Sequence, residues 1–288
     1  MPAWQIGDVV LATPSIELLK RRYPDAEIHL LTEKKCAPLL EHNPHLGKVW
    51  ALDKKVLSSL PQEIAWYWHV ARTGYDLVVD FQQLPRCRWV VAFSGAPVRL
   101  SYTPPWYTRL LYTHSSDMLD GYSAMSKASV LRLSASNGTA SAARLSSRTR
   151  STPLRAARSG RLAAGTAPHH AGPHAPPATR RWPLAHYAGL VSLLAERDAS
   201  LYSCLSGGRK RGSRNSGVVP PLPRRFAALA GSDAVATEMA RIAEADLHIG
   251  NCSAPRHIAV AVDTPTLTVL GSTTPAWTFP SPSTPTLP

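Results

Sequence analysis

The chain has 288 residues, enough for one large α/β domain or two of ordinary size with well-buried cores. Its formal charge of +13 and isoelectric point near 10.0 favour anionic partners: nucleic acid, acidic lipid headgroups or phosphorylated sugars. Cys36, Cys87, Cys204 and Cys252 lie far apart with no CxxC pair, which argues against a disulfide framework or structural zinc and suits a reducing compartment.

Residues 6–102 read as alternating helices and strands. Thr13-Pro14 reads as a cap followed by proline at the first helical position, with Ile16, Leu19 and Tyr23 continuing an apolar face. Tyr23-Pro24-Asp25 stops that helix, and Ile28–Thr32 is a short buried strand. A helical piece near Pro38–Glu41 and a strand at Lys48–Leu52 follow, then an aromatic-rich helix over 62–72. Tyr75–Phe81 is a buried parallel strand with Asp80 near its C-terminal end, where α/β sites usually lie. Arg88–Ser94 and Val98–Tyr102 add a helix and a strand. The pattern is that of a doubly wound half-molecule lacking its first strand. A Gly-Asp loop should follow about five or six apolar residues, whereas Met1-Pro2-Ala3-Trp4-Gln5 precede this one.

Order lapses over 133–178, where Ser, Ala, Arg, Thr, Gly, Pro and His dominate and no period persists. It returns with a helix from Arg180-Arg181-Trp182-Pro183 to about Glu196 and lapses again over roughly 203–224. Thr237–Ala245 (helix), Leu247–Ile249 (strand), Arg256–Val262 (helix) and Thr266–Leu270 (strand) complete the pattern before a Pro/Ser/Thr tail at 281–288. No acidic residue occurs between Asp120 and Glu196, or between Asp198 and Asp233. The two lapses therefore read either as out-of-frame text in a gene whose flanks stay in frame, or as a real insertion. In the first reading, a single-base shift in the encoding DNA restores acidic, patterned sequence.

Two loops carry chemistry. Gly7-Asp8 places a carboxylate at a helix mouth, where it can cap the helix or act as a base. Asn251-Cys252-Ser253-Ala254-Pro255-Arg256-His257 is a strand end turning through small residues into a helix, an anion cradle of backbone N–H groups. Cys252 with His257 could be a thiol nucleophile, but a small buried cysteine explains it better without an orienting third group. The arginines of 144–161 could form a nucleic-acid-binding arm, yet no aromatics interleave for base stacking. His169, His170 and His174 have no helix to fix a metal-binding spacing.

The run Ile6-Gly7-Asp8 through Ala12-Thr13-Pro14, Arg180-Arg181-Trp182-Pro183, Ser253 to His257, and Gly271-Ser272-Thr273-Thr274-Pro275 together resemble glycosyltransferase family 9, the ADP-heptose–lipopolysaccharide heptosyltransferases. The resemblance covers roughly 6–132, 179–202 and 235–280. It implies a GT-B-like α/β fold: two Rossmann-like domains facing a cleft, with the first strand and part of the second domain lost. The divisions would be an acceptor-binding domain over 1–132, the irregular 133–178, and a nucleotide-sugar-binding domain over 179–280. It implies inverting transfer of heptose from ADP-heptose to an anionic, lipid-linked inner-core acceptor, with no cofactor and no metal. Asp8 would be the base, and Arg180, Ser253, Ala254, Pro255, His257 and Thr273 would hold the donor. Arg86, Arg88, Arg99 and Lys127 would face the acceptor.

Cys252 stands where the family has aspartate, Ala254 where it has glycine, and no glutamate follows Gly207-Gly208 to bind a ribose. Two rivals therefore remain: an inactive, partly folded relative that binds anions or nucleotide, and a basic nucleic-acid-binding protein. The expected location is cytoplasmic, with peripheral contact at the inner membrane and no nucleic-acid partner.

Overall fold

The computed structural model describes residues 6–57, 59–116, 182–197 and 235–272, and the backbone of 161–165, 202–207 and 226–230. The chain divides into two units, 1–146 and 147–288.

The first unit opens with α1 (Ile6–Arg22), which packs Val9, Ala12 and Ile16 into a core with Ile28, Leu30, Phe81 and Leu100. Burying each large side chain of this kind contributes about 1.5–3 kcal/mol. Contrary to the sequence reading, Thr13-Pro14 does not start this helix but lies inside it. Proline lacks the N–H that would bond to the Val10 carbonyl four residues back. The Thr13 hydroxyl donates to that same carbonyl at 2.8 Å, so the acceptor is not left empty. A threonine before an internal proline therefore reads like a cap in sequence while repairing a helix in space.

Strands β1 (His29–Glu33) and β2 (Lys48–Leu52) pair in parallel, linked through a 3-10 turn at Lys34–Leu39. Helix α2 (Leu60–Ala71) starts at Ser59, whose amide donates to the Gln62 side chain at 3.3 Å. Strands β3 (Leu77–Asp80), β4 (Val98–Tyr102) and β5 (His114–Ser116) form a second parallel sheet in chain order. Between β3 and β4 runs α3 (Pro85–Ser94), closed by Gly95 at a left-handed φ of 59°. A 3-10 turn at Trp106–Leu111 leads into β5, and the sequence pattern predicts neither of them.

The second unit holds one five-stranded parallel sheet in the order β10-β9-β6-β7-β8. Its strands are β6 (Arg161–Gly165), β7 (Tyr202–Gly207), β8 (Phe226–Ala230), β9 (Leu247–Asn251) and β10 (Thr266–Val269). Helices α4 (Leu184–Arg197), α5 (Val235–Ala243) and α6 (Ala254–Ala261) connect them. Within 133–178, where the sequence shows no regular element, Arg161–Gly165 forms the middle strand, bonded to β7 and β9. A central strand takes its stability from two neighbouring ladders, so a weak local pattern suffices. The rest of that stretch, most of 203–224, and the tail lie outside the described residues.

Candidate functional site

In an open parallel sheet, ligands bind beyond the carboxyl ends of the strands where the strand order reverses. In the second unit the chain runs outward from β6 through β7 and β8, then returns to place β9 and β10 on β6's other side. The reversal lies between β6 and β9. The turn leaving β9 there is Cys252-Ser253, followed at once by α6.

Asn251, the last residue of β9, builds this corner. Its Oδ1 accepts from the Trp182 amide (3.2 Å) and the Tyr187 hydroxyl (3.0 Å), and its Nδ2 donates to the Val269 carbonyl (3.2 Å). One buried amide thus joins β9, β10 and the entry of α4. Tyr187 packs edge-on against Trp182 with ring centroids 4.6 Å apart. Ser253 occupies the N-cap in extended conformation, but its hydroxyl donates back to the Asn251 carbonyl (3.3 Å) instead of capping the helix. The Ser253 side chain makes no cap bond to the first turn of α6, and Pro255 fixes that turn. Backbone donors and the positive end of the helix dipole meet here, as an anion requires.

Ser253, Ala254 and Pro255 are therefore brought together at the strand–helix junction, partly exposed. His257 shares the first helical turn but is buried. Arg180 and Thr273 lie outside the described residues. Asn251 is the site residue that motif reading passed over; a polar side chain ending a buried parallel strand was its signal.

Behind the turn, Arg256 and His248 are both buried. Burial, and secondarily the Arg256 cation, pull the His248 imidazole down to about 4.

In the first unit Asp8 lies in the first turn of α1, partly buried, where a carboxylate complements the helix dipole. The loop placement expected from sequence is corrected by a helix start at Ile6, about two turns before Pro14. Burial pushes the Cys36 thiol up, and the Asp8 charge adds to that push, so the two side chains share one neighbourhood.

The other strand-end carboxylate, Asp80, is not available as a site group. Its Oδ1 accepts from the amides of Gln82 (2.9 Å) and Gln83 (2.8 Å), and its Oδ2 from the Tyr112 hydroxyl (2.8 Å). Burial pushes its carboxyl above the usual range, against the pull of these donors and of Arg88. The bonds hold Gln83 at φ 53°, an uncommon conformation for a non-glycine residue. From there the Gln83 side chain reaches Ser101 Oγ (2.9 Å) and the Tyr102 carbonyl (2.5 Å).

Of the basic residues expected at the acceptor, Arg86 pairs with Glu63 at 3.0 Å. Arg99 donates to the carbonyls of Leu111 (2.7 Å) and Ala96 (2.5 Å). Arg88 lies over the Tyr107 ring at 5.8 Å, and Lys127 falls outside the described residues. Among the described residues no cluster of His, Cys, Asp and Glu is arranged to hold a metal ion.

The sequence model of glycosyltransferase family 9 (heptosyltransferase) matches residues 67–285. Lipopolysaccharide heptosyltransferase 3 of Escherichia coli is 26% identical over 283 residues, covering 93% of this chain and 81% of that protein. A family 9 glycosyltransferase from Veillonella parvula superposes with a TM-score of 0.72 at 18% identity, over 94% of this chain and 80% of the other. The E. coli heptosyltransferase WaaC, solved with ADP, gives 0.70 at 16% identity, over 94% and 86%. The structural matches establish a GT-B-like α/β fold, and the family match spans well over half the residues. The chain belongs to glycosyltransferase family 9, the heptosyltransferases.

Proposed function

We propose that this protein transfers heptose from ADP-heptose to an inner-core sugar of lipopolysaccharide, inverting the anomeric centre. The observation that carries this reading is the junction of β9 and α6: a helix N-terminus at the strand-order reversal, in a chain of this family. The donor's diphosphate sits against Ser253, Ala254 and Pro255, with Arg180 and Thr273 completing its contacts. Asp8 takes the proton from the acceptor hydroxyl as that oxygen bonds to the anomeric carbon. The bond from that carbon to the diphosphate breaks, and ADP leaves with the electron pair, its charge met by the α6 amides. E. coli structures solved with ADP and with ADP-2-deoxy-2-fluoro heptose show relatives of this fold holding such donors.

The test is titration calorimetry of the full chain with ADP, GDP and random-sequence DNA. ADP should bind in preference to GDP, with modest salt dependence. Equal, strongly salt-dependent affinity for all three would overturn the donor site in favour of a general polyanion surface. Cys252, standing where the family carries aspartate, favours a second reading, a nucleotide binder without transfer. That reading expects ADP binding with no heptose appearing on the acceptor.

We also propose a cytoplasmic protein in peripheral contact with the membrane that carries its acceptor. Among the described residues no helix is long and apolar enough to cross a membrane. Trp106, Tyr107 and Leu110 are 87%, 63% and 96% exposed on one 3-10 turn. Residues 81–116 carry Arg86, Arg88, Arg99 and Arg109 and no carboxylate. Exposed aromatics beside Arg109 on the same turn, in a segment that carries no carboxylate of its own, suit an anionic headgroup layer. The chain should co-sediment with phosphatidylethanolamine–phosphatidylglycerol vesicles and not with phosphatidylcholine. Trp106→Ala with Leu110→Ser should cut that binding at least several-fold; retention of full binding by the double variant would place the contact elsewhere.

A further inference from the structure

The outer face of α2 and α3 is apolar, where a helix covering a sheet ordinarily turns its charges to water. On α2, Leu60, Ile64 and Trp68 recur at every fourth position and Arg72 follows, which makes one ridge of the helix. Leu60 is 64% exposed, Trp68 49%, and Trp89 of the neighbouring α3 40%. Phe93 joins the two helices. Its ring meets Trp68 edge-on with centroids 5.2 Å apart, and stacks on Trp89 at 5.3 Å with 28° between the planes. The Arg72 guanidinium closes the row, 5.4 Å from the centre of the Trp68 ring.

Charge on this face has one sign. Residues 59–72 and 84–95 contain a single carboxylate, Glu63, which is buried and paired with Arg86. Three rings in contact thus lie open to solvent with cations beside them and no exposed acid among these residues.

The face continues onto the second 3-10 turn. Successive residues of a helix point 100° apart. On α3, Val90 packs against Tyr67 and Val70 of α2, while Arg88 lies over the Tyr107 ring of the turn at 5.8 Å. Trp89, between them in sequence, therefore points outward between α2 and the turn. Trp68, Phe93, Trp89, Tyr107 and Trp106 form one aromatic band across three elements.

This composition selects the occupant. A second copy fits poorly, because a two-fold pair sets the face against itself, cation facing cation with no carboxylate to meet it. Tryptophan rings edged by arginine suit the boundary between anionic headgroups and acyl chains.

We infer that the outer face of α2 and α3 lies flat on an anionic lipid surface, with Trp68, Trp89 and Phe93 at headgroup depth and Arg72 against lipid phosphates. The inference rests on the peripheral contact proposed for the 3-10 turn and gives it a second, larger footing. Both helices start from the carboxyl ends of strands, β2 and β3, so this seating holds that edge of the first unit beside the membrane that carries the acceptor.

Co-sedimentation of the full chain with phosphatidylethanolamine–phosphatidylglycerol vesicles tests it. Trp68→Ser with Trp89→Ser should weaken binding about tenfold, and Trp68→Tyr with Trp89→Tyr should keep most of it. A second measurement uses milder variants. Vesicles carrying a nitroxide-labelled lipid should quench part of the tryptophan fluorescence of the parent, and Trp68→Phe with Trp89→Phe should remove much of that quenching while the protein stays bound.

Loss of binding in the serine pair alone, with Trp106→Ala and Leu110→Ser tolerated, would support the α2–α3 face and retire the 3-10 turn. Full binding by the serine pair with quenching unchanged in the phenylalanine pair would overturn the inference and leave the turn standing. A parent chain that binds no vesicles overturns both. A dimer in sedimentation equilibrium that the serine pair dissolves, with no vesicle binding, would assign the face to a second copy.

Discussion

Replacing Asp8 by Asn should lower the rate of heptose transfer by about 10²–10⁴ while leaving ADP affinity close to that of the parent. The substitution keeps the shape of the side chain and its place in the first turn of α1. It removes the oxygen able to accept a proton from the attacking hydroxyl. The proposed donor contacts belong to the turn after β9, in the unit that does not contain Asp8, so on that reading binding and turnover should separate cleanly. The comparison requires single-turnover rates with ADP-heptose and a defined acceptor, alongside calorimetry with ADP. A variant as fast as its parent sinks Asp8 as the base. A loss of ADP affinity that matches the loss of rate would instead show a folding defect propagating between units.

A second large effect is expected from acid. His248 sits in β9, 2% exposed, in register with Thr266 of β10 and Ala163 of β6. Among the described residues neither ring nitrogen has a hydrogen-bond partner. The imidazole titrates near 4 in the folded protein, against 6.5 when unfolded. The unfolded chain therefore binds the proton first, and stability falls as pH drops from about 6.5 towards 4, then levels off. The slope is about 1.4 kcal/mol per pH unit, for a total near 3 kcal/mol. His248→Leu should remove this component and also relieve two unsatisfied buried nitrogens. Urea unfolding followed by exchange of β9 and β10 amides, at pH 7 and pH 5, measures it. Identical pH dependence in parent and variant would refute the assignment.

The elements legible in the sequence are those whose signal is local. Lys48–Leu52 and Val98–Tyr102 coincide at both ends with observed strands, because apolar runs there are bounded by glycine, proline and turn residues. The strand–turn–helix passage at 251–257 was legible because small residues after a buried strand leave few alternatives to a tight turn. Elements held by distant partners were not legible. Leu162-Ala163-Ala164 has no β-branched residue, and β5 is three polar residues, yet both pair with neighbours remote in sequence. Arg99, expected to face the acceptor, is bonded to two main-chain carbonyls, Leu111 at the end of the second 3-10 turn and Ala96 just before β4. Asp80 looked like a site carboxylate for a similar reason: the amides of Gln82 and Gln83 are local, but the Tyr112 hydroxyl that completes its hydrogen bonding arrives from 32 residues later.

The position of β6 also has a consequence for synthesis on the ribosome. Strands β7 and β8 follow it in order and cover one side, but its other side is completed by β9, which starts 82 residues after β6 ends. At 5–20 residues per second, that side of the strand waits roughly 4–16 s for its partner. During this interval the growing chain presents an open, parallel-pairing edge, the surface most prone to join another nascent chain. Crowded translation should therefore lose this protein to aggregates made of unfinished chains, and slowing initiation on its message should recover more of it than lowering the temperature of the finished protein.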